Sequence, residues 1–157
     1  MKGMLSRLKA DIRKRITYWK RVLAFYVLRI LPIRKNKIVF SSYQGKGYGG
    51  NGKYIAEALA AQNKPYDLVW LVGDMNTEMP DFIRKVKMPS LGAIIEMCTA
   101  KVWIDNCRKL GFIRKRKNQF YIQTWHGDVG MKMCEQDALQ DLSARYVRAA
   151  KRDSQMA

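Results

Sequence analysis

From residue 37 onward, short apolar runs rich in β-branched residues alternate with stretches of helical periodicity. That alternation limits the folds open to the chain more than any other feature. Residues 37–43 (KIVFSSY), 67–73 (DLVWLVG), 101–107 (KVWIDNC) and 118–125 (NQFYIQTW) are predicted strands, and 84–88 is a short further one. Between them, residues 53–63 (KYIAEALAAQN) read as a helix with Ile55, Ala58 and Leu59 on one face. Residues 91–100 read as a second helix with Ser90 as its N-cap, and from residue 129 to about 152 the pattern is helical again. Strands and helices in alternation predict an α/β domain with a Rossmann-like parallel sheet of about five strands.

The first 31 residues differ in kind. Leu5, Leu8, Ile12, Ile16, Trp19, Leu23, Tyr26 and Ile30 recur at steps of three or four, which predicts one long helix, and Pro32 ends it. Lysines and arginines lie between them, and Asp11 is the only acid in this span. The apolar stretch 22–28 is interrupted by Arg29, well short of the roughly 20 residues a membrane span requires. No small-residue cleavage site follows it, so a secretory leader is not expected. Two readings of this helix stand side by side: it lies in a membrane interface through Trp19, Phe25 and Tyr26, or it packs on its own domain.

Net charge favours an anionic partner. The chain carries 30 Lys and Arg against 13 Asp and Glu, a formal charge of +17. An acidic membrane surface, a phosphate-rich substrate or nucleic acid satisfies that balance. No helix-turn-helix, zinc-finger or RNP motif accompanies the charge, so the nucleic-acid reading stays generic. The expected organisation is a basic amphipathic helix over residues 1–36 and an α/β domain over 37–157, with the domain staying folded when residues 1–31 are removed. Cys98, Cys107 and Cys134 show neither a CxxC nor a metal-ligand spacing, so a reducing, cytosol-facing environment is expected, with no metal and no cofactor.

Two stretches carry chemistry. The glycine-rich segment 44–52 (QGKGYGGNG) sits between a strand and a helix, where backbone N–H groups and a positive helix end face anions. Lys46 and Lys53 add charge there. Its spacing is neither a dinucleotide fingerprint nor a Walker A loop, and glycine-rich connections are often only turns. The second stretch is 121–127 (YIQTWHG), read as a buried strand running into a turn. His126, the only histidine of the chain, stands at that strand's carboxyl end, where open α/β sheets bind ligands. By itself a lone histidine is more often a packed or surface residue than a catalyst.

The order KIVFSSYQGKGYGGNGKYIAEAL, DLVWLVG, KVKMPSLGAIIEMCTAKVWIDNC and RKRKNQFYIQTWHG, over residues 37 to 132, resembles the CDP-glycerol glycerophosphotransferase family of teichoic acid primases and polymerases. The resemblance implies the acceptor-side half of a GT-B-like fold. It also implies a peripheral membrane location on the cytoplasmic face, and transfer of glycerol phosphate from CDP-glycerol to a lipid-linked or polymer hydroxyl. It maps the general base onto His126. Gly45, Lys46, Asn51, Gly127 and Lys132 are the expected substrate contacts, with Lys46 and Lys132 placed there on charge and position. Where the family continues with a Thr-Pro-Leu-Lys-like run, this chain has Asp128, as a charged neighbour of His126 or a helix N-cap. The family's nucleotide-binding half has no counterpart in these residues, so the resemblance is to a truncated, split or decayed member of the family, with a partner chain as one candidate source of the missing half. Two other readings are a non-catalytic membrane- or partner-binding remnant of the family and a basic nucleic-acid-binding protein.

Overall fold

A computed structural model describes residues 2–109, 111–126 and 143–154. Helix α1 (Lys2–Leu28) leads into β1 (Arg34–Ser41), α2 (Gly50–Ala60), β2 (Asp67–Val72), β3 (Arg84–Lys87), α3 (Leu91–Thr99), β4 (Ala100–Asp105), β5 (Phe120–Gln123) and α4 (Ala144–Ser154). The five strands form one parallel sheet in the order β3-β2-β1-β4-β5. In register, Val39 of β1 stands between Val69 of β2 and Trp103 of β4. The expected Rossmann-like α/β class is what the chain adopts.

Successive strand residues point to opposite faces, so each central strand feeds two cores. Val39, Val69, Leu71 and Trp103 face α1 and α3 with Phe25, Ile94 and Met97. Ile38, Phe40, Leu68 and Trp70 face α2 with Ala56. Burial on both faces explains why IVF and LVWLV are continuous apolar runs and do not alternate. Ser90 caps α3 as expected, its Oγ accepting from the Ala93 N–H at 3.0 Å. On α2, Gly52 and Ala56 are the buried positions; Ile55 and Leu59 are half-buried and Ala58 is exposed, so the helix is turned from the expected face. Of the helix expected over 129–152, only the part within α4 lies among the described residues.

Strand β5 corrects another expectation. It is an edge strand, with β4 on one side, and it is not buried throughout: Tyr121 turns inward while Phe120 and Ile122 are exposed. An apolar run does not reveal how many neighbours it will have.

Helix α1 divides into two parts. Along its length Leu8, Ile12, Ile16, Trp19 and Leu23 are exposed, Trp19 at 65% and Leu23 at 67%. Nearer its end, Phe25 is 0% exposed and lies in the core, with Val22 and Leu28 packed around it. The Phe25 ring meets Phe112 edge-on at 5.9 Å, and its carbonyl accepts from the Cys98 thiol. Arg116 Nη1 donates to the carbonyls of Arg29 and Leu31, satisfying groups the helix end leaves without partners. Phe25 therefore belongs to the core of the α/β domain, and the end of α1 is expected to matter for its folding. No helix among the described residues is long and apolar enough to cross a membrane.

At the sheet's amino edge a charged cluster ties β1, β2, β3 and α3 together. The nearly buried Lys37 ammonium donates to Glu96 and to Thr99 Oγ1, while Arg84 pairs with Asp67 at 2.9 Å and with Glu96 at 2.7 Å. Burial alone would push the Glu96 carboxyl up, but hydrogen bonds from Arg84 and Lys37, with their charges, hold it below its usual range. A carboxylate so depressed adds stability that is complete above the unfolded pKa, about 4.3, and is lost as pH falls through the folded value. Glu96→Ala leaves the Lys37 charge buried without its main partner. The expected loss is about 3–5 kcal/mol, read from the urea midpoint at pH 7, and the variant's stability should fall less on acidification than that of the parent chain.

Candidate active site at the carboxyl edge of the sheet

The strand order makes a place for a ligand. The chain winds from β1 outward through β2 to β3, then crosses back to β4 on the other side of β1. The loops after β1 and β4 therefore diverge, and open α/β sheets bind ligands in the crevice this leaves. The segments that meet there are the β1–α2 loop, the first turn of α2, the exit of β4 and the turn after β5.

His126 is exposed in the turn after β5. Thr124 N–H donates to Asp105 O at 2.8 Å, carrying the β4–β5 pairing one step past the strands. Trp125 then takes a left-handed φ of 52°. Across the crevice, Tyr43 and Gln44 leave β1 at φ 48° and 58°. The rings of Tyr43 and His126 lie 5.9 Å apart, tilted by 46°. Non-glycine residues in this region are strained and gather where a ligand is held.

The expected contact residues fare differently. Asn51 reaches the turn, its Nδ2 donating to Thr124 O at 3.4 Å. Lys46 is exposed in the β1–α2 loop. Gly45 is buried and serves the backbone: at φ +87°, an added Cβ would stand 2.9 Å from Met88 Sδ and 3.0 Å from Gly73 N. The Gly45 and Lys46 N–H groups both donate to Ser42 O, so they are occupied in the turn. The rest of the glycine loop is fastened from below, Trp70 Nε1 donating to Gly47 O and Ser42 Oγ to Gly49 O. The first turn of α2 has Gly49 at its N-cap and no side-chain cap, which leaves its backbone donors facing the crevice. Gly127, Asp128 and Lys132 lie outside the described residues.

Three residues at this edge, Tyr43, Asn106 and Arg108, are not among the contact residues expected from the sequence. Asn106, 1% exposed just after β4, accepts from the Tyr43 N–H at 2.7 Å. Its Nδ2 has no hydrogen-bond partner and sits where a Cβ on Gly50 would come within 3.0 Å. Asn106 thereby fixes the start of the β1–α2 loop, and Tyr43 with it. Arg108 lays its guanidinium 5.7 Å from the Trp125 ring and 4.5 Å from that of Tyr146, tying the β4 exit to the histidine turn. The rule that ligands sit at strand carboxyl ends points to Tyr43 and Asn106 in hindsight, since each lies at the carboxyl end of a predicted strand. Among the described residues no group of three or more His, Cys, Asp and Glu is placed to hold a metal. Burial pushes the Cys98 thiol up to about 11, which suits a packed group and not a nucleophile.

A doubly wound parallel sheet with a crevice at its switch point and an exposed imidazole on the rim defines a Rossmann-like α/β domain. Residues 23–156 match the family described as CDP-Glycerol:Poly(glycerophosphate) glycerophosphotransferase, and the chain belongs to that family. It is 34% identical over 109 residues to a teichoic acid poly(glycerol phosphate) polymerase of Bacillus spizizenii, covering 67% of this chain and 28% of that protein. It is 30% identical over 137 residues to a teichoic acid glycerol-phosphate transferase of Staphylococcus aureus, covering 83% of this chain and 35% of that one. The chain therefore spans about a third or less of these relatives. In fold it is similar to a variant of the wall teichoic acid polymerase TagF, with a TM-score of 0.75 at 24% identity over 97% of this chain and 40% of that one. A structure of that polymerase soaked with CDPG matches with a TM-score of 0.72.

Proposed function

We propose that these residues form the acceptor-side half of a teichoic acid glycerophosphotransferase, with His126 as the general base. The observation that carries this reading is the exposed imidazole at the switch-point edge, beside Tyr43, in a chain of this family. The acceptor hydroxyl attacks the glycerol-bearing phosphorus of CDP-glycerol. An oxygen–phosphorus bond forms, the bond to the cytidine monophosphate leaving group breaks, and the hydroxyl proton passes to His126. Lys46, the α2 amino end and Lys132 steady phosphate charge, and Asn51 holds the turn.

Phosphoryl transfer depends mostly on positioning, and proximity accounts for roughly 7–11 kcal/mol of such barriers. A base without a positioned donor contributes little. These 157 residues by themselves are therefore expected to turn over CDP-glycerol slowly or not at all with a lipid-linked acceptor, and transfer should appear when a nucleotide-binding half is supplied. Robust transfer by the chain alone would overturn the acceptor-side assignment.

The same reading places the protein at the cytoplasmic face of the membrane. Support comes from α1, whose exposed stripe of Ile12, Ile16, Trp19 and Leu23 runs between lysines and arginines. An apolar stripe of this kind sinks into the headgroup boundary, and each basic residue near an anionic leaflet adds about 1 kcal/mol.

A further inference from the structure

A second cavity opens at the same edge of the sheet, on the face that carries α1 and α3. It encloses about 250 Å³. Leu71, Ala93, Ile94, Met97, Phe112 and Ile113 line it, all buried and all apolar. Met88 lines it too, and two unbranched thioether side chains make walls that adapt to an occupant. Its charged lining is one-sided. Arg21, Arg108 and Lys109 stand against the single carboxylate of Asp105, which Lys109 already pairs. Arg21 is partly exposed where the apolar walls are buried and marks the open side, while Arg108 keeps Nε and Nη1 of its guanidinium buried further in.

We propose that this cavity seats a single-chain lipid phosphate, with the chain among Leu71, Ile94 and Met97 and the phosphate between Arg21 and Arg108. An apolar interior with a cationic rim matches an amphiphile of that kind and neither a free sugar nor a nucleotide. A methylene fills about the room of a water, about 30 Å³, so the cavity takes roughly eight carbons of chain. Planar guanidinium groups suit phosphate oxygens through paired hydrogen bonds. Two connections join this seat to the crevice. Gln44 lines the cavity and belongs to the strained turn that places Tyr43 beside His126. Arg108 lines it and lies over Trp125, the residue before His126. Arg21 belongs to α1, whose exposed stripe includes Trp19 and Leu23, so a lipid leaving a membrane surface meets the rim first. The assignment of this lipid as the acceptor rests on the function proposed above; its binding does not.

Methyl NMR on the full chain with octyl phosphate tests the seat. The methyl signals of Met88, Ile94, Met97 and Ile113 should shift, and butyl phosphate should bind at least about tenfold more weakly, since each buried methylene strengthens binding. Octanol should bind about tenfold more weakly than octyl phosphate, and inorganic phosphate alone should leave those methyls unmoved. Arg21→Glu should weaken octyl phosphate about tenfold and leave octanol unchanged. Ala93→Phe, which fills the cavity, should abolish both; if that variant does not fold, the methyl map and Arg21→Glu decide. Shifts confined to Ile12 and Ile16 would overturn the proposal, as surfactant on the α1 stripe. So would equal affinity for octanol and octyl phosphate, or undiminished binding by folded Ala93→Phe. Because binding is read without turnover, a chain that fills the cavity yet supports no transfer keeps the seat and loses the acceptor role. A chain with His126-dependent transfer and an empty cavity loses the seat alone.

Discussion

His126→Ala is expected to slow glycerophosphate transfer about 10²–10⁴-fold, the usual contribution of a general base, in an assay that supplies CDP-glycerol, an acceptor and a nucleotide-binding half. The melting temperature should not move. His126 is exposed, its placement is set by backbone contacts of Thr124 and Trp125, and a surface substitution of this kind stays within about 0.5 kcal/mol. Among the described residues the interaction lost is with the Tyr43 ring, 5.9 Å away. The rate should fall in kcat, because the base acts on the acceptor proton only as the new bond forms. As the chain holds a single histidine, its imidazole NMR signals belong to this residue alone, and their disappearance in the variant certifies the substitution in the folded chain. An active complex that is indifferent to His126→Ala would take the histidine out of the mechanism.

Removal of residues 1–31 is expected to abolish cooperative folding, whereas removal of residues 1–20 should leave it intact. The difference lies in Phe25, fully buried against Phe112 and the α3 residues Ile94, Met97 and Cys98. Losing a phenylalanine side chain from a core costs about 3–5 kcal/mol, and typical domains have only about 5–15 in total. The longer deletion also removes Val22 and Leu28 and the carbonyls to which Arg116 donates, leaving a partly buried guanidinium short of acceptors. The shorter deletion takes Leu8, Ile12, Ile16 and Trp19, which are exposed. It should weaken binding to anionic vesicles, and the intact chain should release from them at high salt. Thermal melting and vesicle sedimentation of both variants separate the two roles. A chain lacking 1–31 that melts like the intact one would remove Phe25 from the core. Equal vesicle binding without residues 1–20 would remove the helix from the membrane.

How much of this was legible before the structure depends on range. Each of the five strands lies where an apolar, β-prone run predicted it, though β1 begins at Arg34 and not at residue 37, and β5 ends at Gln123 and not at residue 125. Strand ends are set by where a neighbour stops pairing, which the strand's own residues do not encode. The glycine loop and the histidine turn were visible as punctuation, and Ser90 as a cap, because glycine torsions and capping hydrogen bonds are local chemistry. Within the basic run 114–117, Arg116 turns inward to the carbonyls of Leu31, just past α1, and of Cys98 in α3. Charge alone says nothing about which carbonyls a folded chain will bring within reach.

The sequence by itself determined the class of fold, the parallel sense of the sheet and the position of His126 at a strand's carboxyl end. These follow from periodicity and from short-range torsional preferences, which any stretch of chain carries with it. Only the tertiary structure decided that β4 returns to the side of β1, and that reversal creates the crevice. It alone made β5 an edge strand, buried Phe25 near the end of an otherwise largely exposed α1, and set Tyr43 beside His126, with Asn106 on the Tyr43 N–H and Arg108 over Trp125. Those choices depend on contacts between residues far apart in the chain, Tyr43 to Asn106 or Phe25 to Phe112, whose energies exist only once the segments have met.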